Sequence, residues 1–264
     1  MWVKRTLEFT GRNRLGWDSI AANRPPQPAA FFRAGGTTLE RAEIDLLPDV
    51  AGRRLLHLAC ATGNESMSWA VRGARVTAVD ISDDGLAIAR AVAEEAGLDI
   101  DFITADMFQL PDDLGRFDYV YASSGVVCWC PDIDEWAQII ADHLELDGSF
   151  LLSEHHPIWE VLGVRAEDRL EPTVSYFGRS EPTDGTYDQA KRPAGSSPQT
   201  PLTAFVWPIS DVVMAFVRAG LHIEHFGERV VSDMYTGLSA DAAARLPATY
   251  ELKVTKPTWA RRIT

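Results

Sequence analysis

Three groups of residues in this 264-residue chain have types and spacings suited to chemistry. The first is the run Ala59-Cys60-Ala61-Thr62-Gly63-Asn64, which follows an apolar stretch and precedes a helical one. Small side chains there let a ligand approach the backbone, and the free N–H groups opening the next helix suit an anion. The second group is a pair of acids, Asp80 and Asp106, each closing a β-like run. A strand-terminal Asp can accept hydrogen bonds from both hydroxyls of a ribose, and Asp106 beside Met107 can read an adenine edge with a carboxylate and a backbone N–H. Each feature has a bland counterpart, since small turns pack well and Asp followed by Ser82, Asp83 and Asp84 is also a helix cap. In this chain order the three describe an adenosine pocket. The third group is Glu154-His155-His156-Pro157. Imidazole titrates near neutral pH, so a base to deprotonate an acceptor is His155 or His156, with Glu154 beside them. Alternation along a strand sends His155 to the face opposite Glu154 and His156.

These residues need a frame that gathers them. From residue 54 short apolar runs alternate with helical patterns, which predicts a parallel sheet with helices on both faces. Strands are expected at 54–59, 74–79, 101–105, 117–122, 148–153, 221–226 and 249–254, with helices at 65–71, 84–96, 133–144 and about 208–219. Open sheets of this kind bind ligands at the carboxyl ends of their strands, where Ala59, Asp80, Asp106 and His155 all fall. Only a short segment separates the sixth strand from the last and leaves no room for a long crossover helix, so the last two strands should run antiparallel, making a seven-stranded sheet with a reversed edge strand. The expected organisation is an N-terminal cap (1–50), a core (51–157 and 206–257) and an inserted lid (158–205) rich in Pro and Gly, with β-like runs at 174–177 and 203–206.

Lys plus Arg number 25 against 38 Asp plus Glu, a net charge of −13, which disfavours a nucleic acid partner. No apolar run approaches the ~20 residues of a membrane-spanning helix, and the first residues lack a secretory h-region, so a soluble, cytoplasmic protein is expected. Cys60, Cys128 and Cys130 are too few and odd in number for a disulfide framework, and Cys128-x-Cys130 has no second pair at zinc spacing, so no metal is expected.

The motifs resemble those of the class I S-adenosylmethionine-dependent methyltransferases, in particular a bacterial small-molecule branch. The resemblance is carried by His57-Leu58-Ala59-Cys60-Ala61-Thr62-Gly63, Ser68-Trp69-Ala70, Gly73 through Ser82, Ala105-Asp106-Met107, the Glu154 to Pro157 element and Lys253 through Pro257, and it spans about residues 17–257. It implies a doubly wound, Rossmann-like α/β fold. It also implies S-adenosyl-L-methionine as cofactor, S-adenosyl-L-homocysteine as product, and a cofactor set of His57, Ala59, Cys60, Gly63, Asp80, Ile81, Asp106, Met107 and Ser123. Two departures stand out: Ala59 replaces the branch's usual Gln, and Ala61 is bulkier than a frequent glycine. A nicotinamide-dependent dehydrogenase is the main competitor, but its G-x-G-x-x-G turn is absent here. A cofactor-binding protein without catalysis, or with chemistry other than methyl transfer, also remains open.

The acceptor should be a small molecule held by aromatic residues of cap and lid: Trp17, Trp129, Trp159, Tyr176 and Phe177. Trp69 and Trp136 sit on helix faces and read as core. The acceptor's identity, the atom methylated and the oligomeric state, a homodimer included, are left open by the sequence.

Overall fold

The computed structural model describes residues 2–164, 169–185 and 202–258, so 165–168 and 186–201 of the expected lid lie outside the described residues. The N-terminal region holds α1 (Trp2–Ile20), α2 (Ala29–Arg33) and α3 (Arg41–Leu46). The alternating part follows: β1 (Arg54–Leu58), α4 (Asn64–Val71), β2 (Arg75–Asp80), α5 (Asp83–Ala96), β3 (Ile100–Thr104), β4 (Phe117–Ser123), α6 (Ile133–His143) and β5 (Leu144–His155). Next come α7 (Pro157–Val161), β6 (Leu162–Val164), β7 (Leu170–Pro172), β8 (Arg179–Gly185) and β9 (Leu202–Val206). The chain closes with α8 (Ile209–Arg218), β10 (His222–Arg229), α9 (Ala240–Ala243) and β11 (Thr249–Thr255).

Seven strands form one sheet in the order β10-β11-β5-β4-β1-β2-β3. β1 pairs in parallel with both β2 and β4, whereas β11 is antiparallel to β5 on one side and to β10 on the other. The reversed strand is therefore not at the edge, as the sequence pattern suggests. The short β10–β11 connection makes it antiparallel to β10, and it lies between β5 and β10. Its own pattern fits that place: Tyr250, Glu251, Leu252 and Val254 are all buried, which an edge strand does not require.

Helices cover both faces. On one, α6 and α8 bury Trp136 and Phe216 against Phe150 of β5, with ring centroids 5.0–5.9 Å apart. On the other, Trp69 of α4 meets Tyr121 of β4 at 5.4 Å, together with Phe32 and Leu86. Trp69 and Trp136 are fully buried, as their positions predict. Local signals set the helix ends: the Ser82 hydroxyl accepts the Gly85 N–H, Gly97 ends α5 in the left-handed region, and Asp132 accepts the Asp134 and Glu135 N–H groups.

The β-like run at 174–177 forms no strand. The small strands of the inserted region are instead the pairs β6–β7 and β8–β9. β9 lies beside α1, where the Asn13 amide donates to the Thr203 carbonyl (2.8 Å) and accepts the Thr203 N–H (2.7 Å), both groups being buried. Replacing Asn13 by Ala leaves two buried backbone groups unpaired and should cost about 1–3 kcal/mol. Urea unfolding measures that loss, and amide exchange across residues 6–20 should accelerate with it; unchanged exchange would show that the pair does not hold α1.

Candidate active site

The carboxyl ends of β1 to β5 meet at a cavity of about 230 Å³. Its floor and walls come from Ala59, Ala61 and Thr62 after β1, Asp80 to Ser82 after β2, Ala105 to Met107 after β3, Ser123 to Val126 after β4, and His155 ending β5. Its outer side is closed by Thr10, Asn13, Trp17 and Ile20 of α1, by Ala21 and Arg24, and by Leu202 of β9.

The turn after β1 is unusual in its backbone. Ala59 (φ 54°) and Ala61 (φ 49°) both occupy the left-handed region, where a Cβ costs roughly 1–2 kcal/mol. Asp80 holds this turn in place. One carboxylate oxygen accepts the Ala61 N–H at 2.7 Å and the other the Ser82 N–H at 2.9 Å, and the residue also lines the cavity. Burial pushes the Asp80 carboxyl up from its ordinary value, and the backbone donors oppose that shift. Gly63 (φ 82°) starts α4 at a point where an added Cβ would sit 3.0 Å from that of Ala89. The second acid, Asp106, closes a tight turn by accepting the Phe108 N–H at 2.9 Å while facing the cavity. The capping and ligand-facing readings of these acids thus coexist.

At the other end of the cavity, neighbouring residues of β5 divide. The buried Glu154 carboxylate accepts the N–H groups of Gly125, Val126 (2.7 Å), Val127 (2.8 Å) and His155 (2.6 Å), so it pins the loop after β4 rather than facing a ligand. Burial raises its carboxyl above the usual range. His156 also faces away from the cavity: its Nδ1 accepts the Ile158 N–H (3.0 Å) and its Nε2 lies 2.8 Å from Glu228. Burial lowers its imidazole, with Glu228 opposing. His155 alone of the three lines the cavity, its ring 4.7 Å from that of Trp159 and its Nδ1 3.6 Å from Glu160.

Of the sequence-derived cofactor set, Ala59, Asp80, Ile81, Asp106, Met107 and Ser123 line the cavity. His57, Cys60 and Gly63 do not; they support the turn from beneath. His57 is buried with Nδ1 bonded to the Ser66 hydroxyl (2.7 Å) and its ring against Tyr121. Cys60 is buried, and its N–H donates to the Val79 carbonyl. Among the aromatic residues, Trp17, Trp129 and Trp159 line the cavity, the first two edge to face at 5.2 Å. Tyr176 and Phe177 lie elsewhere: the Tyr176 hydroxyl accepts the Ile209 N–H (3.3 Å), and Phe177 is 65% exposed against Arg179. Sequence reasoning missed Arg24, whose guanidinium stacks over Trp17 at 5.2 Å while its carbonyl accepts the Thr62 hydroxyl at 2.8 Å.

Residues 55–148 match a family model described as a methyltransferase domain. A demethylmenaquinone methyltransferase from Thermus thermophilus is 39% identical over 87 residues, which is 32% of this chain and 40% of that protein. A ubiquinone biosynthesis O-methyltransferase from Azotobacter vinelandii is 38% identical over 72 residues, 27% of this chain and 31% of that one. A solved S-adenosylmethionine-dependent methyltransferase from Mesorhizobium loti superposes with a TM-score of 0.61 at 25% identity, covering 81% of this chain and 95% of its own. Residues 55–148 thus carry a methyltransferase domain, and the fold is similar to that of a solved S-adenosylmethionine-dependent methyltransferase. The two curated relatives are matched over less than half of their own length. The family match also ends at residue 148, so the shared part carries the turn, Asp80 and Asp106, whereas His155 and α1 lie outside it.

The buried setting of His57 gives it a pH signature. Burial lowers its imidazole from 6.5 to about 3, so it stays neutral in the folded protein. Below pH 6.5 the unfolded chain takes up a proton there that the folded chain cannot, and stability falls until about pH 3. The stability of the wild type relative to His57→Gln should therefore be constant above pH 7 and decline by about 1.4 kcal/mol per pH unit between pH 6 and 4. Urea unfolding of both proteins across that range measures the slope, and parallel curves would show that His57 takes up a proton freely in the fold.

Proposed function

We propose that this protein transfers the methyl group of S-adenosyl-L-methionine to a small organic acceptor, releasing S-adenosyl-L-homocysteine. The observation that carries the reading is the convergence, in one cavity, of the Ala59–Gly63 turn, Asp80 and Asp106. The donor set fits the cofactor. Asp80 offers a carboxylate whose orientation is already fixed by two backbone donors, and Val79, Ile81 and Met107 add apolar surface beside two acids. Asp80 would hold the ribose hydroxyls, Asp106 and the Met107 N–H the adenine, and the small-residue turn the methionyl end. The cofactor supplies an electrophilic methyl on a sulfonium.

What remains for the chain is to hold an acceptor in line, exclude water and take up a proton if the acceptor carries one. His155 is the base candidate, because of the three titratable residues at the end of β5 only it reaches the cavity. Trp17, Trp129 and Trp159 form an aromatic wall that suits a flat or cationic group. We place acceptor selection in the N-terminal cap (1–50) and the inserted region (158–205), which add α1 and β9 to a core of 51–157 and 206–257. The net charge of −13 speaks for a small-molecule partner over nucleic acid, and three free buried cysteines suit the cytoplasm. Among the described residues, no helix is long and apolar enough to cross a membrane.

Calorimetric titration with S-adenosylmethionine, S-adenosylhomocysteine and NAD in parallel tests the reading. The first two should bind and NAD should not. Asp80→Asn should weaken both by about 1.5–3 kcal/mol, roughly 10- to 150-fold, as for hydrogen bonds to a charged group. Binding of NAD alone, or affinity unchanged in the variant, contradicts the proposal.

A further inference from the structure

We propose that the acceptor is a flat organic acid, an aromatic carboxylate, and that the Arg24 guanidinium holds its carboxylate. The proposal deepens the methyltransferase reading and rests on it for what is done to the bound acid.

Charge is unevenly spread over the cavity wall. Among the described residues that line it, Arg24, Asp80, Asp106 and His155 can carry charge. Both acids lie together, one closing β2 and the other just after β3, where their carboxylates also accept backbone N–H groups. The rest of the lining holds a guanidinium, an imidazole and three indoles but no carboxylate. Acids nearby in the chain do not supply one. Asp18, next to Trp17, accepts the Ser82 hydroxyl (2.7 Å), Glu154 accepts four backbone N–H groups, and Glu160 stays out of the lining. A protein of net charge −13 thus presents a cation where the acceptor is to sit.

Arg24 is divided between two neighbours. Its carbonyl accepts the Thr62 hydroxyl (2.8 Å), so its backbone holds the turn after β1. Its guanidinium instead lies 5.2 Å over the Trp17 ring, and Trp17 meets Trp129 edge to face at 5.2 Å. The side chain therefore belongs to the aromatic wall and not to the turn. That placement sets the sign of what the wall can take. A cation of the protein already covers Trp17, and an ammonium brought to the same ring would be repelled by a charge that does not titrate away. A carboxylate matches the planar fork of the guanidinium, which offers two parallel N–H donors. Among the described residues no carboxylate lies within ion-pair reach of that fork; Glu65 of α4 feels its charge at longer range. Arg24 also lies outside residues 55–148, the part shared with other methyltransferase domains, whereas Asp80 and Asp106 lie within it. A group that selects the acceptor and not the cofactor belongs outside the shared part. A carboxylate held by a guanidinium is a poor nucleophile, so it serves as the handle and another atom of the acceptor receives the methyl.

The test titrates the full chain, free and saturated with S-adenosylhomocysteine, with 4-hydroxybenzoate, its amide and 4-hydroxybenzylamine, and with the matching hydroxynaphthalene set, following binding by saturation-transfer NMR. In the wild type the acid should bind about 10-fold or more tightly than its amide, as for a hydrogen bond to a charged group, and the amine more weakly than the amide. Arg24→Gln should bring the acid to the level of its amide, and Arg24→Lys, which keeps the charge without the fork, should retain part of the preference. Affinity for S-adenosylhomocysteine should be the same in all three proteins. Acid and amide binding alike, neither acid binding, an amine binding best, or a preference that survives in Arg24→Gln overturns the proposal. So does a loss of S-adenosylhomocysteine affinity in Arg24→Gln with methylthioadenosine, which lacks the carboxylate, unaffected: the guanidinium would then hold the cofactor's own carboxylate. Failure of the wild type to bind S-adenosylhomocysteine strikes the methyltransferase reading, while the acid preference of the free protein still decides the role of Arg24.

Discussion

The site depends on a buried carboxylate bonded to its own backbone. Asp80 accepts N–H groups from both sides of a cavity-facing corner, Ala61 from the turn after β1 and Ser82 from the start of α5. Hydrogen bonds to a charged group are worth about 1.5–3 kcal/mol each, enough to offset the left-handed strain of Ala59 and Ala61 and part of the burial that raises the Asp80 carboxyl. The same arrangement that holds the turn also fixes the carboxylate at the cavity wall. A ligand there meets an acceptor that need not reorganise.

The device recurs around the cavity. Glu154 gathers four N–H groups and so shapes the loop from Gly125 to Val127, and Asp106 closes its own turn. Loops at the ends of parallel strands have few backbone partners of their own, and buried acids supply them. This separates the acids into two kinds. Asp80 and Asp106 keep a face on the cavity, whereas Glu154 is consumed entirely by the backbone. The end of the cavity at His155 is built differently, from aromatic rings and one histidine, with a wall contributed by α1.

Much of the sheet was legible because its strands are short apolar runs with clear breaks and its helices carry Ser82, Gly97 and Asp132 at their ends. The placing of Asp80 and Asp106 at the cavity was legible for the same reason: strand-terminal acids can be counted off once the strands are placed. The position of β11 was not, since antiparallel pairing follows from the short connection but insertion between β5 and β10 does not. Helix α1 was hidden because its buried face is largely Thr6, Thr10, Asn13 and Ile20, so the helical period is carried mostly by polar residues, with Asn13 bonded to β9 and Thr6 to Glu135 of α6. Strand alternation separated His155 from Glu154 and His156 correctly in direction. Which of the two histidines meets the cavity needed the corner at Pro157.

The most direct measurement is a crystal structure of the protein soaked with S-adenosylhomocysteine. The nucleoside should lie in the cavity with both ribose hydroxyls on the Asp80 carboxylate, adenine beside Asp106, and the sulfur on the side of His155. A complex in which the ligand binds elsewhere, or occupies the cavity without touching Asp80, would contradict the central claim that this carboxylate is at once the brace of the turn and the seat of the cofactor.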